Sequence, residues 1–129
     1  MNLLLDTHAL IWFLEDDVKL ARHARTAISD PENKAFVSDA TVWEIGIKHS
    51  LGKLDLPVPY ESLFPHQLEA LGFHRLPIRY THLHRQMQLP WHHRDPFDRL
   101  LIAQAQVEEM SLISRDQHFS AYDIPLIWD

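Results

Sequence analysis

Residues 2–6, NLLLD, constrain the fold more than any other stretch: three leucines in succession, with no polar alternation, closed by an acid. A strand with one face in water alternates apolar and polar residues, so a continuous apolar run suits a strand covered on both faces, as in the middle of a parallel sheet. Residues 7–14 then carry helical spacing. Short apolar runs recur at 35–38 (AFVS) and 111–114 (SLIS), each separated from the last by helical patterns. Alternation of this kind predicts an α/β fold with a mainly parallel sheet of four to five strands.

The remaining punctuation fills in the order. A helix over 19–29 is expected to stop at the Asp30-Pro31 turn. The helix after the second strand is expected to be capped by Asp39 or Thr41 and ended by Gly52. A helix is predicted over 60–71, a strand over 73–78, a short helix over 81–89, a long apolar helix over 97–110, and a last strand over 125–127. At 129 residues and 46% hydrophobic composition, the length and apolar content fit one domain over 1–129 with a real core.

Composition then excludes classes of function. The apolar opening is interrupted by Asp6 and His8 and lacks a basic lead, so neither a signal peptide nor a membrane span is expected. Absence of cysteine removes disulfides and thiolate metal sites, which fits the cytoplasm. A net charge of −6 argues against broad electrostatic binding to nucleic acid, so any such contact must be local or bridged by cations.

The parallel architecture also places chemistry. Right-handed crossovers collect strand C-termini and helix N-termini on one edge of the sheet. Asp6 ends the first strand, Glu44 lies about one turn into the helix after the second, Asp98 is in the first turn of the long helix, and Asp116 lies just past the fourth strand. Four acids from distant segments are therefore predicted on one edge. Asp95, followed by Pro96, reads as the N-cap of the long helix, and capping alone would account for Asp98 but not for the other three. Carboxylates gathered without cations raise one another's pKa and repel, so such a cluster calls for neutralisation or metal. Oxygen donors without cysteine suit Mg²⁺, with Mn²⁺ as the other choice.

Three stretches, LLLDTHALIW, VSDATVWEIGIKHSLGKL and HRDPFDRLLIAQA followed by LISRDQHF, occur in an order that resembles the PIN-domain ribonucleases, in particular the VapC-type toxins of toxin-antitoxin pairs. The resemblance covers essentially the whole chain. It implies a three-layer α/β/α sandwich, metal-dependent endonucleolytic cleavage of RNA through cation-activated water, and a cognate antitoxin encoded by a neighbouring gene. Carried over residue by residue, it implies Asp6, Glu44, Asp98 and Asp116 as Mg²⁺ or Mn²⁺ ligands, with Asp95 left as a cap or a residue behind the ligands.

Each assignment competes with a plainer one. Asp6 could merely cap the helix at Thr7, Glu44 could face solvent, and SRDQHF around Asp116 is also a turn-and-cap pattern. Ser114 either bonds a neighbouring carboxylate or water, or simply ends a strand. His93, Arg94, Arg99 and Arg115, with His92, are read as bordering the acids and contacting RNA phosphate or bases. None of the ten histidines shows HExxH spacing, so a dedicated histidine metal site is not expected. Trp12, Tyr60, Leu63 and Phe64 are candidates for an antitoxin or homodimer surface, and tryptophans on apolar helix faces are read as core or interface before base-stacking platforms.

The enzymatic rival is a phosphatase or phosphoacceptor using Asp6 as nucleophile, for which DTHAL lacks the second acid or the lysine. The non-enzymatic alternative is an acidic pocket that binds a basic peptide or RNA without cutting it.

Overall fold

A computed structural model describes residues 1–129. Its strands are β1 (Asn2–Leu5), β2 (Lys34–Ser38), β3 (His74–Leu76), β4 (Ser111–Ile113) and β5 (Leu126–Ile127). All pair in parallel, in the order β3-β2-β1-β4-β5. The apolar NLLL strand thus sits at the centre, with β2 and β4 on either side. Side chains alternate across a strand, and the leucines divide accordingly. Leu3 and Leu5 join one core cluster with Leu10, Ala24, Ile45 and Leu63, whereas Leu4 joins a second with Leu101, Ile102, Leu112 and Phe119. Two cores on opposite faces of one sheet make the α/β/α sandwich.

The helices are α1 (Thr7–Leu14), α2 (Arg22–Ser29), α3 (Asp39–Ser50), α4 (Tyr60–Ser62), α5 (Leu68–Ala70), α6 (Tyr80–Gln88) and α7 (Pro96–Glu108). A wider π-helical turn, Leu63–Gln67, joins α4 to α5. The expected helix over 60–71 is therefore one broken stretch, interrupted where Phe64 leaves helical geometry. α7 stops short of the expected Met110 because Glu109 turns into the left-handed conformation, φ 56°. β3 is shorter than the expected 73–78 because Pro77 has no N–H to continue the ladder.

Two local expectations are corrected. The cap of α3 is neither Asp39 nor Thr41 but Ser38, whose Oγ accepts from the Ala40 N–H at 3.0 Å, since β2 runs straight into the helix. Leu63 is 1% exposed and belongs to the core, so it offers no surface to a partner. Tyr60 and Phe64 pack on that core and line a groove of about 520 Å³ with Val42 and Trp43.

Candidate metal centre

The C-terminal ends of the strands carry four helical N-termini, and the acids sit on three of them. Asp6 is the N-cap of α1, Asp95 of α7, and Asp116 of the short 3-10 turn Gln117–Ala121. Capping explains where these carboxylates stand but leaves them oxygens to spare. Asp6 is 6% exposed, and its Oδ1 accepts from the Ala9 N–H at 2.8 Å while Oδ2 accepts from Ser114 Oγ at 2.5 Å. Ser114 Oγ in turn accepts from the Asp116 N–H at 3.0 Å, so one hydroxyl ties the end of β1 to the turn after β4. Burial pushes the Asp6 carboxyl up from 3.8 to about 6. The Ser114 and Ala9 hydrogen bonds oppose the shift, and the charges of Asp116 and Glu44 add to it.

Asp98 stands in the first turn of α7, its backbone N–H bonded to Asp95 Oδ1 at 3.0 Å, as expected of a cap followed by Pro96. Its Oδ2 lies 2.9 Å from His93 Nε2. Burial raises this carboxyl too, to about 6. Asp95 and Glu44 add to the rise and the His93 hydrogen bond opposes it. Glu44 is buried rather than solvent-facing. Its Oε1 accepts from Thr7 Oγ1 at 2.5 Å and its Oε2 pairs with Lys48 Nζ at 2.9 Å, one helical turn away. Asp116 Oδ1 accepts from the His118 N–H at 2.9 Å and lies 2.8 Å from His118 Nδ1.

Ligand atoms of His93, Asp98 and Asp116 all fall within 4.8 Å of one another. Asp6 and Glu44 stand outside that tight group yet are felt by it: Glu44 raises both Asp6 and Asp98, and Asp116 raises Asp6. The donors fit a hard divalent cation, being carboxylate oxygens, with Asp6 and Asp98 held above their ordinary range by burial and neighbouring charge, which a bound cation would reverse. Of the basic residues expected to border them, Arg94 and Arg115 are exposed.

Arg99 requires correction. It is 0% exposed, and its guanidinium donates to backbone carbonyls, so it cannot reach RNA. His82 is buried against Glu108 and Gln104, away from these acids. Trp43 and Trp91 are 61% and 69% exposed, not core, whereas Trp12 is half-buried and stacked on His8. Sequence reasoning passed over Thr7, Lys48, His118 and Tyr122. Lys48 was within reach, because Glu44 and Lys48 have the i,i+4 spacing of a helical ion pair.

Comparison with known proteins agrees with this fold. The pattern of the PIN domain family matches residues 3–125. The chain is similar to Ribonuclease VapC16 of Mycobacterium tuberculosis, 35% identical over 58 residues, which is 45% of this chain and 41% of that relative. Among solved structures it is similar to VapBC2 from Rickettsia felis bound to a promoter DNA fragment, with TM-score 0.69 and 14% identity over 100% of both chains. It also resembles a toxin-antitoxin complex from Klebsiella pneumoniae, with TM-score 0.64 and 20% identity over 96% of this chain and 94% of that one.

Proposed function

The chain belongs to the PIN domain family, and from that premise we propose that it is a ribonuclease toxin: a cation-dependent endoribonuclease acting as one unit over its length and restrained by a cognate antitoxin. The observation that carries the reading is the acid edge, where Asp6 is buried and Asp98 half-buried beside other carboxylates without a lysine or arginine in ion-pair contact. Asp6, Glu44, Asp98 and Asp116 would hold Mg²⁺ or Mn²⁺. When bound, such an ion supplies Lewis-acid stabilisation of charge on a phosphate and lowers the pKa of a water.

The chain's own residues prepare that chemistry. At pH 7.5 carboxyls titrating at about 6 are ionised and available as ligands. Ser114 Oγ fixes Asp6 Oδ2, and Thr7 Oγ1 fixes Glu44 Oε1. Lys48 occupies the other Glu44 oxygen, so this acid contributes least charge to a cation unless the lysine swings out. Exposed Arg94 and Arg115 draw the phosphate backbone towards an edge that the chain's net charge of −6 would otherwise repel. No serine, threonine or lysine stands free among the acids as a covalent nucleophile, which favours direct hydrolysis by water, and the family resemblance implies 5′-phosphate and 3′-hydroxyl ends.

The relatives named VapBC are toxin-antitoxin structures, and an antitoxin arginine or lysine entering this edge would neutralise the same carboxylates as the cation. The antitoxin, a homodimer and a cytoplasmic setting form part of the proposal; no helix is long and apolar enough to cross a membrane. The test incubates purified protein with structured and unstructured RNA, in Mg²⁺ or in EDTA. Cleavage is expected only with the cation, and cleavage that survives EDTA would overturn the reading. Co-expression with the neighbouring gene should give a complex that co-purifies and whose affinity changes in Asp6→Ala.

A further inference from the structure

His93 belongs to the tight group of potential ligand atoms, yet its hydrogen bonds give it a different part. The backbone N–H of Arg94 points at His93 Nδ1, 3.1 Å away. An amide N–H can only donate, so Nδ1 carries the lone pair and Nε2 carries the hydrogen. That Nε2–H is directed at Asp98 Oδ2, at 2.9 Å. In this tautomer the ring has no free lone pair facing the acids. We infer that His93 is a positioning residue, an N–H that orients Asp98 rather than a metal ligand, and that Arg99 and Tyr122 form a buried clamp holding it in place. The inference rests on the nuclease reading above and adds to it the device that aims one carboxylate.

The clamp acts on the main chain of the loop between α6 and α7. Arg99 Nη1 donates to Pro90 O at 2.9 Å and to His93 O at 3.3 Å, and Nη2 donates to Gln86 O at 2.8 Å and Leu89 O at 3.2 Å. Four carbonyls spread over residues 86–93 are thus gathered onto one planar group, a geometry that an ammonium on a flexible stem does not reproduce. Trp91 lies over the same guanidinium, 3.6 Å from ring centroid to Cζ. Tyr122 completes the arrangement: its hydroxyl accepts from the His93 N–H at 2.8 Å and donates to Pro90 O at 2.9 Å. Both backbone groups of His93 are therefore held, N–H by Tyr122 and C=O by Arg99. The ring is packed by Phe119 on one side, at 6.1 Å, and by His118 at 5.8 Å.

A buried guanidinium is expensive unless its donors are satisfied. Here both Nη groups are satisfied, by Gln86 O in the last turn of α6 and by three carbonyls of the loop that brings His93 to Asp98, while Nε has no partner. Outer hydrogen bonds of this kind fix the orientation of ligating carboxylates, and their removal costs about 10- to 100-fold in metal affinity or activity.

The test uses the full chain. Long-range ¹H–¹⁵N correlation of the imidazoles in metal-free protein should show His93 as the Nε2–H tautomer, and Tyr122→Phe should mix the two tautomers. Mn²⁺ affinity, read by electron paramagnetic resonance, should fall about 10- to 100-fold in His93→Ala. It should recover largely in His93→Gln, whose amide N–H can reach Asp98. Tyr122→Phe keeps the packing ring and should lose affinity by a smaller factor without loss of folding. An Nδ1–H tautomer, ¹⁴N coupling from His93 to bound Mn²⁺, or His93→Gln as damaging as His93→Ala would each overturn the positioning role. Wild-type protein that holds the expected tautomer yet neither binds Mn²⁺ nor cuts RNA overturns the nuclease reading instead, and the positioning role with it.

Discussion

Asp6 and Asp39 each stand one residue past neighbouring parallel strands, Asp6 as the cap of its helix and Asp39 just inside the next, and meet opposite fates. Each follows closely on a parallel strand at the same edge of the sheet, Asp6 after β1 and Asp39 after β2. Asp39 receives a two-pronged guanidinium from β3, with Arg75 Nε at 2.8 Å from Oδ1 and Nη2 at 2.7 Å from Oδ2, in a setting open to water. Asp6, at the centre of the sheet, receives only a serine hydroxyl and a backbone N–H, with Asp116 and Glu44 close enough to repel it. The outer acid is neutralised by the chain itself. Asp6 and Asp98 have no lysine or arginine partner, and under the proposed cation-dependent reading that contrast separates a structural carboxylate from a functional one.

The contrast is broken most directly by exchanging acids for amides. Asp6→Asn or Asp98→Asn keeps the hydrogen-bond acceptors for Ala9 or His93 while removing the charge, and RNA cleavage should fall ~100-fold or more. Asp39→Asn should leave it unchanged in the same assay. Equal losses at all three positions would erase the distinction.

Cation binding should sharpen it next. Mn²⁺ at about 1,000 times its dissociation constant stabilises the folded state by roughly 4 kcal/mol. Differential scanning calorimetry should therefore show a rise in Tm that persists in Asp39→Asn and shrinks in Asp98→Asn.

A smaller effect follows from protons. Asp6 and Asp98 titrate at about 6 in the folded chain against 3.8 ordinarily, so between those values the native state binds more protons than the unfolded state. Stability of metal-free protein then falls as pH rises from 3.8 to about 6 and levels off above, as far as these groups are concerned. Asp6→Asn should flatten part of that slope in urea melts across the range. Mn²⁺ affinity has the opposite sign, weakening as pH drops below about 6, because protons compete for the same oxygens.

The smallest effect belongs to the outer pair. Arg75 is solvent-exposed, and exposed ion pairs add little to stability. Arg75→Ala should leave Tm within the error of the melt, and a large drop would show that this pair carries more of the fold than its exposure suggests.

Much of this contrast could be read in advance. The unbroken leucines of NLLLD announced a doubly covered strand, and the parallel topology that follows from it directs Asp6, Glu44, Asp98 and Asp116 towards one edge. Asp95 with Pro96 likewise announced the start of α7. The misreadings lie where a tertiary partner decides. Arg99 stands next to Asp98 in sequence, but one residue turns the helix by about 100° and aims the guanidinium into the loop instead of the solvent. Nothing in RDPFDRLL marks that direction. Ser38 took the cap from Asp39 and Thr41 because β2 passes into α3 without a connecting turn. Asp39, freed from capping, met an arginine 36 residues away that no local pattern could supply. Strand order depends on such distant pairings as well, which is why the central position of β1 could be anticipated and the sequence β3-β2-β1-β4-β5 could not.

The central claim is that the inner acids, and not the outer one, form a cation site. A single Mn²⁺ titration followed by electron paramagnetic resonance at pH 7.5, run on wild type, Asp98→Asn and Asp39→Asn, tests it directly. Saturable binding is expected in wild type, the same curve in Asp39→Asn, and its loss in Asp98→Asn; a wild-type chain that binds no Mn²⁺, or an Asp98→Asn curve that overlays wild type, would overturn the assignment.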